Sequence, residues 1–330
     1  GKEAQTEFEI GMNELATIMY TSGTTGEPKG IMFSQMNIVY KRFCRAMAIP
    51  EIGEEDRFIA FLPLYHTFGR YLEMTGCAFW AAEYCFLENP SVEAMISNMQ
   101  LVKPTVFISI PKKWMQLYEY ITSKVDIEVD EHQKIKNELD KATGGNLKWG
   151  LSAAGYLPPD IFQFFQKYGV ELMSGFGMTE ATGGITMTPW KRYKPNSLGK
   201  PLPGIEIKLG DDGEILVKGP YVMLGYYDTE YSETFTDDGW LPTGDVMKMD
   251  EDGFIQIIDR KKEIYKNIKG ETIAPQKIEN LFRDFENIKQ VFLVGDHRQF
   301  NTILIHPNNE DKHSVIFEMD EQQKQEHFSS

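Results

Sequence analysis

At 330 residues with 42% hydrophobic content, the chain can bury one large α/β domain or two smaller ones. Its net charge of -15 argues against nucleic acid or anionic lipid as the main partner, because a phosphate backbone selects for clustered Lys and Arg. No apolar run reaches the roughly 18 residues of a membrane helix, the opening Gly1-Lys2-Glu3-Ala4-Gln5 is polar rather than a signal peptide, and Cys44, Cys77 and Cys85 suit reduced core thiols better than disulfides or zinc.

In chain order, the runs Leu15–Tyr20, Arg57–Leu62, Thr105–Ser109 and Leu147–Ser152 read as strands. Helical periods fill the gaps. After Ser34, a cap residue, Met36, Val39, Tyr40, Phe43 and Met47 share one face; Pro111 opens a helix that aligns Trp114, Leu117, Tyr118 and Ile121; Pro159 opens another that stops at Gly169. This alternation up to about Met173 predicts an α/β fold, a largely parallel sheet covered by helices. Between Asn196 and Asp259 the text changes to short strands at Ile205–Leu209, Glu214–Val217, Val246–Met249 and Phe254–Ile258, an antiparallel, barrel-like unit. Beyond Arg260 come a basic turn, a helix over Pro275–Phe285 and strands at Gln290–Val294 and Thr302–His306, the start of a small α+β domain. The domain reading is therefore 1–259 with 196–259 as its barrel-like part, then 260–330.

The first motif follows the first strand. Thr21-Ser22-Gly23-Thr24-Thr25-Gly26-Glu27-Pro28-Lys29-Gly30 has glycines that let backbone N–H groups approach an anion, hydroxyls that donate or ligate a metal, and a mobile lysine charge. It lacks the Gly-Lys-Ser/Thr ending of a Walker A loop. His66 lies in Pro63-Leu64-Tyr65-His66-Thr67-Phe68-Gly69-Arg70, just past a strand end. Phe176 stands between Gly175 and Gly177, where a ring can cover a flat base or fill the core. Asp250-Glu251-Asp252-Gly253 reads as a hairpin turn, and pairing around it brings Asp245 close to Arg260, as a salt bridge or as a binding pair.

Taken together, these residues resemble the adenylate-forming acyl-CoA synthetases, relatives of the luciferases and of the adenylation domains of peptide synthetases. The blocks that carry the resemblance are Tyr20 to Gly30, Leu62-Pro63-Leu64-Tyr65-His66, Ser152-Ala153-Ala154-Gly155, Gly175-Phe176-Gly177-Met178-Thr179-Glu180, Gly239-Trp240-Leu241-Pro242-Thr243-Gly244-Asp245 and Asp259-Arg260-Lys261-Lys262-Glu263, in the family's order from about Glu14 to Pro307. The resemblance implies ATP, Mg²⁺ and coenzyme A as cofactor and co-substrate. It makes Thr21, Ser22, Gly23, Thr24, Thr25, Gly26 and Lys29 phosphate contacts, and Ala154, Gly155, Phe176 and Gly177 the adenine site. Thr179 then reaches the α-phosphate, Glu180 and Thr21 hold the metal, and Asp245 with Arg260 takes the ribose. His66 gates the meeting of acyl group and thiol. Lys262 becomes the hinge of a rotating C-terminal domain, and Lys266, Lys269 and Gly270 lie in a loop that swings towards the pantetheine channel. One departure is mild: Ala153-Ala154-Gly155 stands where Gly-Gly-Ala is commoner.

Ile110-Pro111-Lys112-Lys113-Trp114, Pro201-Leu202-Pro203-Gly204 through Tyr226-Tyr227, and Ile273-Ala274-Pro275-Gln276 resemble the long-chain branch. The expectation is an acid-thiol ligase that converts a fatty acid, ATP and CoA to acyl-CoA, AMP and pyrophosphate. The alternatives are loading of a carrier protein and nucleotide binding without catalysis. Against the family pattern the chain looks truncated at both ends, so weak adenylation is expected. Lys312 and Lys324 do not stand in the context of the family's terminal lysine. Self-association or homodimer formation, a cytoplasmic location and at most peripheral membrane contact complete the expectations.

Overall fold

The computed structural model describes residues 10–21, 28–87, 89–266, 271–282, 285, 287–296, 298 and 300–308. They fall into two compact units, one of residues 1–208, 216–243 and 249–256, the other of 209–215, 244–248 and 257–330.

The larger unit is built on a five-stranded parallel sheet. Its strands are β3 (Arg57–Ala60), β4 (Glu83–Phe86), β5 (Val106–Ser109), β6 (Trp149–Ser152) and β7 (Glu171–Ser174), in the order β4-β3-β5-β6-β7. All four pairings are parallel. These strands are short apolar runs because both faces are covered. On one face Ile59, Phe107 and Leu172 pack against helices α3 (Val92–Val102), α4 (Pro111–Thr122), α5 (His132–Thr143) and α6 (Pro159–Lys167), with Trp114, Leu117, Ile121 and Phe165 at the centre. On the other, Phe58, Val106, Ile108, Trp149, Leu151 and Met173 meet a second core containing Phe33, Cys44, Tyr71, Leu72 and, from helix α2 (Thr75–Trp80), Cys77. Residues adjacent in sequence, such as Val106 and Phe107, enter opposite cores, as the period of two requires. The expected α/β fold is present, and α4 aligns Trp114, Leu117 and Ile121 as its periodicity predicts.

The first strand, β1 (Leu15–Thr21), stands outside that sheet. It pairs antiparallel with β2 (Lys29–Ser34), Thr21 opposite Lys29. Seven intervening residues are too few for a parallel crossover, which takes a dozen or more. A third strand, Gly225–Tyr226, adds antiparallel to β2.

Helix α1 (Gln35–Ala48) starts where Ser34 indicates, with Ser34 and Asn37 exchanging the bonds of a capping box. Its orientation corrects the expectation. Val39, Phe43 and Met47 are exposed, whereas Asn37, Lys41, Arg42, Cys44 and Arg45 are buried. The buried face is polar because it meets backbone: Asn37 Nδ2 donates to Pro220 O and Val222 O, and Lys41 Nζ donates to Gly184 O at 2.6 Å while lying over the Tyr221 ring.

The later strands Glu206–Leu209, Glu214–Lys218, Leu241–Met249 and Ile255–Arg260 form a four-stranded sheet in the order named. The turn at Asp250–Gly253 closes as predicted, Asp250 Oδ1 accepting from the N–H groups of Asp252 and Phe254. In the smaller unit, Ile288–Val294 pairs antiparallel with Thr302–Pro307. The predicted helix is shorter than expected, Pro275–Glu279 followed by a turn at Asn280–Phe282. Buried Asp259 ties this unit together by accepting from the N–H groups of Arg260 and Gln276. Cys44 and Cys77 are buried free thiols and Cys85 is half-buried. Among the described residues no helix is long and apolar enough to cross a membrane.

Candidate functional site

In an open parallel sheet, ligands bind beyond the carboxyl ends of the strands. Here that edge carries most of the motifs. His66 follows β3, Ser152-Ala153-Ala154-Gly155 ends β6, and Gly175 to Glu180 follows β7.

The turn after β7 is shaped by close backbone approach. A Cβ on Gly175 would lie 2.5 Å from Thr186 O, and one on Gly177 would lie 2.4 Å from Gly183 O, so neither position accepts a side chain without moving main chain. Phe176 between them is fixed through its backbone. Its N–H donates to Thr186 Oγ1 and its carbonyl accepts from Ile185 and Thr186. The ring is half-buried against the core, leaving part of it free to meet a ligand. Ala154 is exposed and has φ of 64°, a left-handed conformation that costs an alanine of the order of 1–2 kcal/mol. The family-like pattern commonly has glycine at this block; here the strain is retained.

Thr179 and Glu180 form a single helical turn, Thr179–Ala181. Glu180 is half-buried, and its Oε1 accepts the Tyr226 hydroxyl at 2.8 Å. Burial, then the nearby Glu180 charge, raises the Tyr226 phenol far above its ordinary range, so it stays a proton donor. On the other side of the same residue, Lys29 Nζ lies 4.9 Å from the Tyr226 ring centroid. Thr21 and Lys29, the two ends of the phosphate-type loop, face each other across the β1–β2 pair. Ser22, Gly23, Thr24, Thr25 and Gly26 lie outside the described residues, as do Lys269, Gly270, Lys312 and Lys324. A cavity of about 340 Å³ opens beside the loop ends, lined by Tyr20, Lys29, Gly30, Tyr226 and Tyr227 among others.

His66 sits in a tight turn in which its N–H donates to Pro63 O and its Nδ1 accepts from the Phe68 N–H at 3.2 Å. Partial burial lowers its pKa. The imidazole is therefore neutral at pH 7, with its proton on Nε2, available for donation. The π-helix Phe68–Met74 that follows brings the carbonyls of Leu62 and Pro63 within 2.7 Å and 2.5 Å of a Cβ position on Gly69. Only glycine fits there.

In the smaller unit, Asp245 is buried and pairs with Arg260, Nε to Oδ1 at 2.7 Å. The hairpin thus brings the two together as the sequence indicates, with the arginine side chain half exposed at 50%. Next to them, Lys261 joins Asp212 and Glu214 at 2.8 Å and 2.6 Å. Lys262 and Lys266 are exposed. Tyr226 was not singled out from sequence as a site residue. Its signal, a Gly-Tyr pair in a short strand, is indistinguishable from ordinary sheet packing until the fold sets it against Glu180.

A parallel sheet edge with glycine-bound turns, a half-buried carboxylate and a lysine beside a glycine- and threonine-rich loop have the chemistry that a nucleotide's phosphates require. The sequence signature of the AMP-binding enzymes covers residues 2–227, and the chain belongs to that family. It is 30% identical over 326 residues to the long-chain-fatty-acid–CoA ligase FadD15 of Mycobacterium bovis, covering 88% of this chain and 54% of that one. It is 31% identical over 335 residues to the peroxisomal long chain acyl-CoA synthetase 7 of Arabidopsis thaliana, covering 88% and 47%. The chain thus spans about half the length of these curated relatives. Among solved structures, O-succinylbenzoate coenzyme A synthetase of Bacillus subtilis in complex with ATP and a magnesium ion superposes with a TM-score of 0.74 at 26% identity, covering 93% of this chain and 63% of that one.

Proposed function

We propose that this chain carries the nucleotide-binding part of a long-chain fatty acid–CoA ligase. Such an enzyme works in two steps. A fatty carboxylate attacks the α-phosphorus of ATP, forming acyl-AMP and releasing pyrophosphate; a CoA thiolate then attacks the acyl carbon and AMP leaves. The observation that supports this reading best is Glu180, a carboxylate at the carboxyl end of the sheet, held by Tyr226 on the strand that pairs with the exit of the phosphate loop.

The difficulty of the first step is electrostatic, because an anion must approach a phosphorus already surrounded by negative oxygens. Mg²⁺ fits the residues present. Among the described residues no group of three or more His, Cys, Asp or Glu assembles, so a metal at Glu180 would complete its shell with water, a hydroxyl such as that of Thr21, and substrate phosphates, the ordinary habit of magnesium. When bound, the ion would neutralise charge on the phosphates. Lys29 and the loop hydroxyls add to that neutralisation, and Thr179 lies beside Glu180 to contact the α-phosphate. In the larger unit Phe176 and the Ala154–Gly155 backbone are assigned to the adenine, and in the smaller unit Asp245 with Arg260 is assigned to the ribose. His66, whose Nδ1 accepts the Phe68 N–H, is assigned to the gate where acyl group, adenylate and thiol meet. Lys262 is the proposed hinge, and Lys266 belongs to the loop that serves the thiol step.

The test does not require turnover. Binding of non-hydrolysable acyl-sulfamoyl-adenosine analogues, measured by calorimetry, is expected to strengthen from acetyl to palmitoyl. Binding that is independent of chain length removes the fatty-acid assignment, and no binding of any analogue removes the adenylate-forming assignment for this chain.

A further inference from the structure

The residues flanking Tyr226 are fastened on both sides. Leu224 N–H donates to Met32 O and Tyr227 N–H donates to Gly30 O, which zips the segment to β2, the strand that leaves the phosphate loop. Met223 N–H donates to Glu180 O, and Thr182 Oγ1 donates to Tyr221 O, which fasten it to the turn that carries Glu180. Asn37 holds the same segment from α1 through Pro220 O and Val222 O. Tyr226 therefore stands on a fastened backbone between two elements that the proposed nucleotide site must hold in register.

Its two ends do different things. The hydroxyl donates to Glu180 Oε1 at 2.8 Å, while Lys29 Nζ lies over the ring at 4.9 Å from its centroid. A lysine and a glutamate in a nucleotide-free phosphate site attract each other, and a direct ion pair would withdraw both charges from ATP and metal. No Lys29–Glu180 ion pair occurs among the described residues, and each of them contacts the tyrosine. One hydroxyl also fixes one carboxylate oxygen, which orients the other.

From this geometry we infer that Tyr226 is a positioning residue for magnesium–ATP: its hydroxyl presets the Glu180 carboxylate for the metal, and its ring keeps Lys29 apart from that carboxylate. The inference rests on the reading of Glu180 as a metal-binding group. It concerns how the carboxylate is held, not which group holds the ion.

The experiment compares Tyr226→Phe, Tyr226→Leu and Glu180→Gln with the unmodified chain. Fluorescent ATP is titrated with and without Mg²⁺, direct Mn²⁺ binding in the presence of ATP is followed by electron paramagnetic resonance, and folding is checked by circular dichroism. Tyr226→Phe keeps the ring and loses only the hydroxyl. Because a hydrogen bond to a charged group contributes about 1.5–3 kcal/mol, the metal concentration for half-saturation is expected to rise by about tenfold or more, with metal-free nucleotide affinity unchanged. Tyr226→Leu is expected to weaken metal-free nucleotide binding as well, since Lys29 becomes free to pair with Glu180. A merely structural tyrosine would lower the melting temperature and leave the metal dependence where it was. If Glu180→Gln shifts the metal dependence and Tyr226→Phe does not, the positioning role is wrong and the reading of Glu180 stands. If Glu180→Gln shifts nothing, or the unmodified chain shows no magnesium-dependent binding, the reading of Glu180 fails and the inference falls with it.

Discussion

Glu73 lies near the end of the π-helix that follows His66 and has no solvent-exposed surface. Neither carboxyl oxygen makes a hydrogen bond of ordinary geometry, and the Tyr84 hydroxyl and the Leu62 backbone offset the effect of burial only in part. Burial raises its pKa well above the usual carboxylate range. The folded state therefore binds a proton that the unfolded state releases. The stability this group contributes is complete below the unfolded-state pKa and is lost as pH rises towards the folded-state value. Each pH unit in that window costs the protein up to about 1.4 kcal/mol. Glu73→Gln is expected to match the unmodified chain near pH 4.5 and to be more stable at pH 8, a difference that urea denaturation at the two pH values measures directly. Equal stability at pH 8 would mean that the carboxyl reaches water. Phe176 provides a second residue-scale check. Phe176→Tyr should leave ATP affinity within about twofold, since stacking needs the ring and not the hydroxyl, whereas Phe176→Ala should lose about five- to tenfold. The identity of such residues was legible because each occurs in a block of fixed chemistry. Tyr226 and Glu73 were not legible, because a partner 46 positions away for one, and burial behind a turn for the other, leave no mark on a local pattern.

At the scale of elements, α1 is the informative failure. Its apolar residues recur at helical spacing, and hydrophobic periodicity alone assigns Val39, Phe43 and Met47 to the core. The structure turns the helix round because backbone carbonyls of residues 184, 220 and 222, the last buried and the others partly so, need donors, and Asn37 and Lys41 supply them. Leaving a buried acceptor unpaired costs about 1–3 kcal/mol each, enough to outweigh partial exposure of apolar side chains. Phe43 and Phe79 retain mutual aromatic cover, edge to face at 5.1 Å. The two readings make opposite predictions. Asn37→Ala should cost about 2–4 kcal/mol through two orphaned carbonyls, while Phe43→Gln, a substitution on the exposed face, should stay within about 0.5–1 kcal/mol. A larger loss for Phe43→Gln than for Asn37→Ala in denaturant unfolding would restore the periodicity reading. Helix α4, by contrast, was legible because its apolar stripe meets only apolar sheet, where spacing and burial coincide. Likewise the strands β3, β5 and β6 were visible as runs buried on two faces, whereas β1 was visible as a strand but not as an antiparallel one. Pairing partner depends on the length of the loop that follows, not on the run itself.

For the molecule as a whole, the sequence carried the fold class and the order of the motifs, because strand–helix alternation and motif order are properties of the entire chain. Charge is the other property of that kind, and it bears on stability. A net charge of -15 spread over the surface repels itself. The ion pairs that could offset it are mostly exposed, such as Arg57–Glu83 and Lys208–Asp238, and exposed pairs contribute about 0–1 kcal/mol each. Salt weakens both terms, but not equally. Long-range repulsion between many like charges is screened once the Debye length falls to about 8 Å near 0.15 M salt, while pairs already in contact lose less. The repulsion should dominate the response. Raising sodium chloride from 20 to 300 mM is therefore expected to increase the melting temperature by a few degrees at pH 7.5, and the increment should shrink as the pH is lowered towards the sequence isoelectric point near 4.9. A fall in melting temperature with salt at pH 7.5 would show instead that contact ion pairs outweigh the acidic surplus.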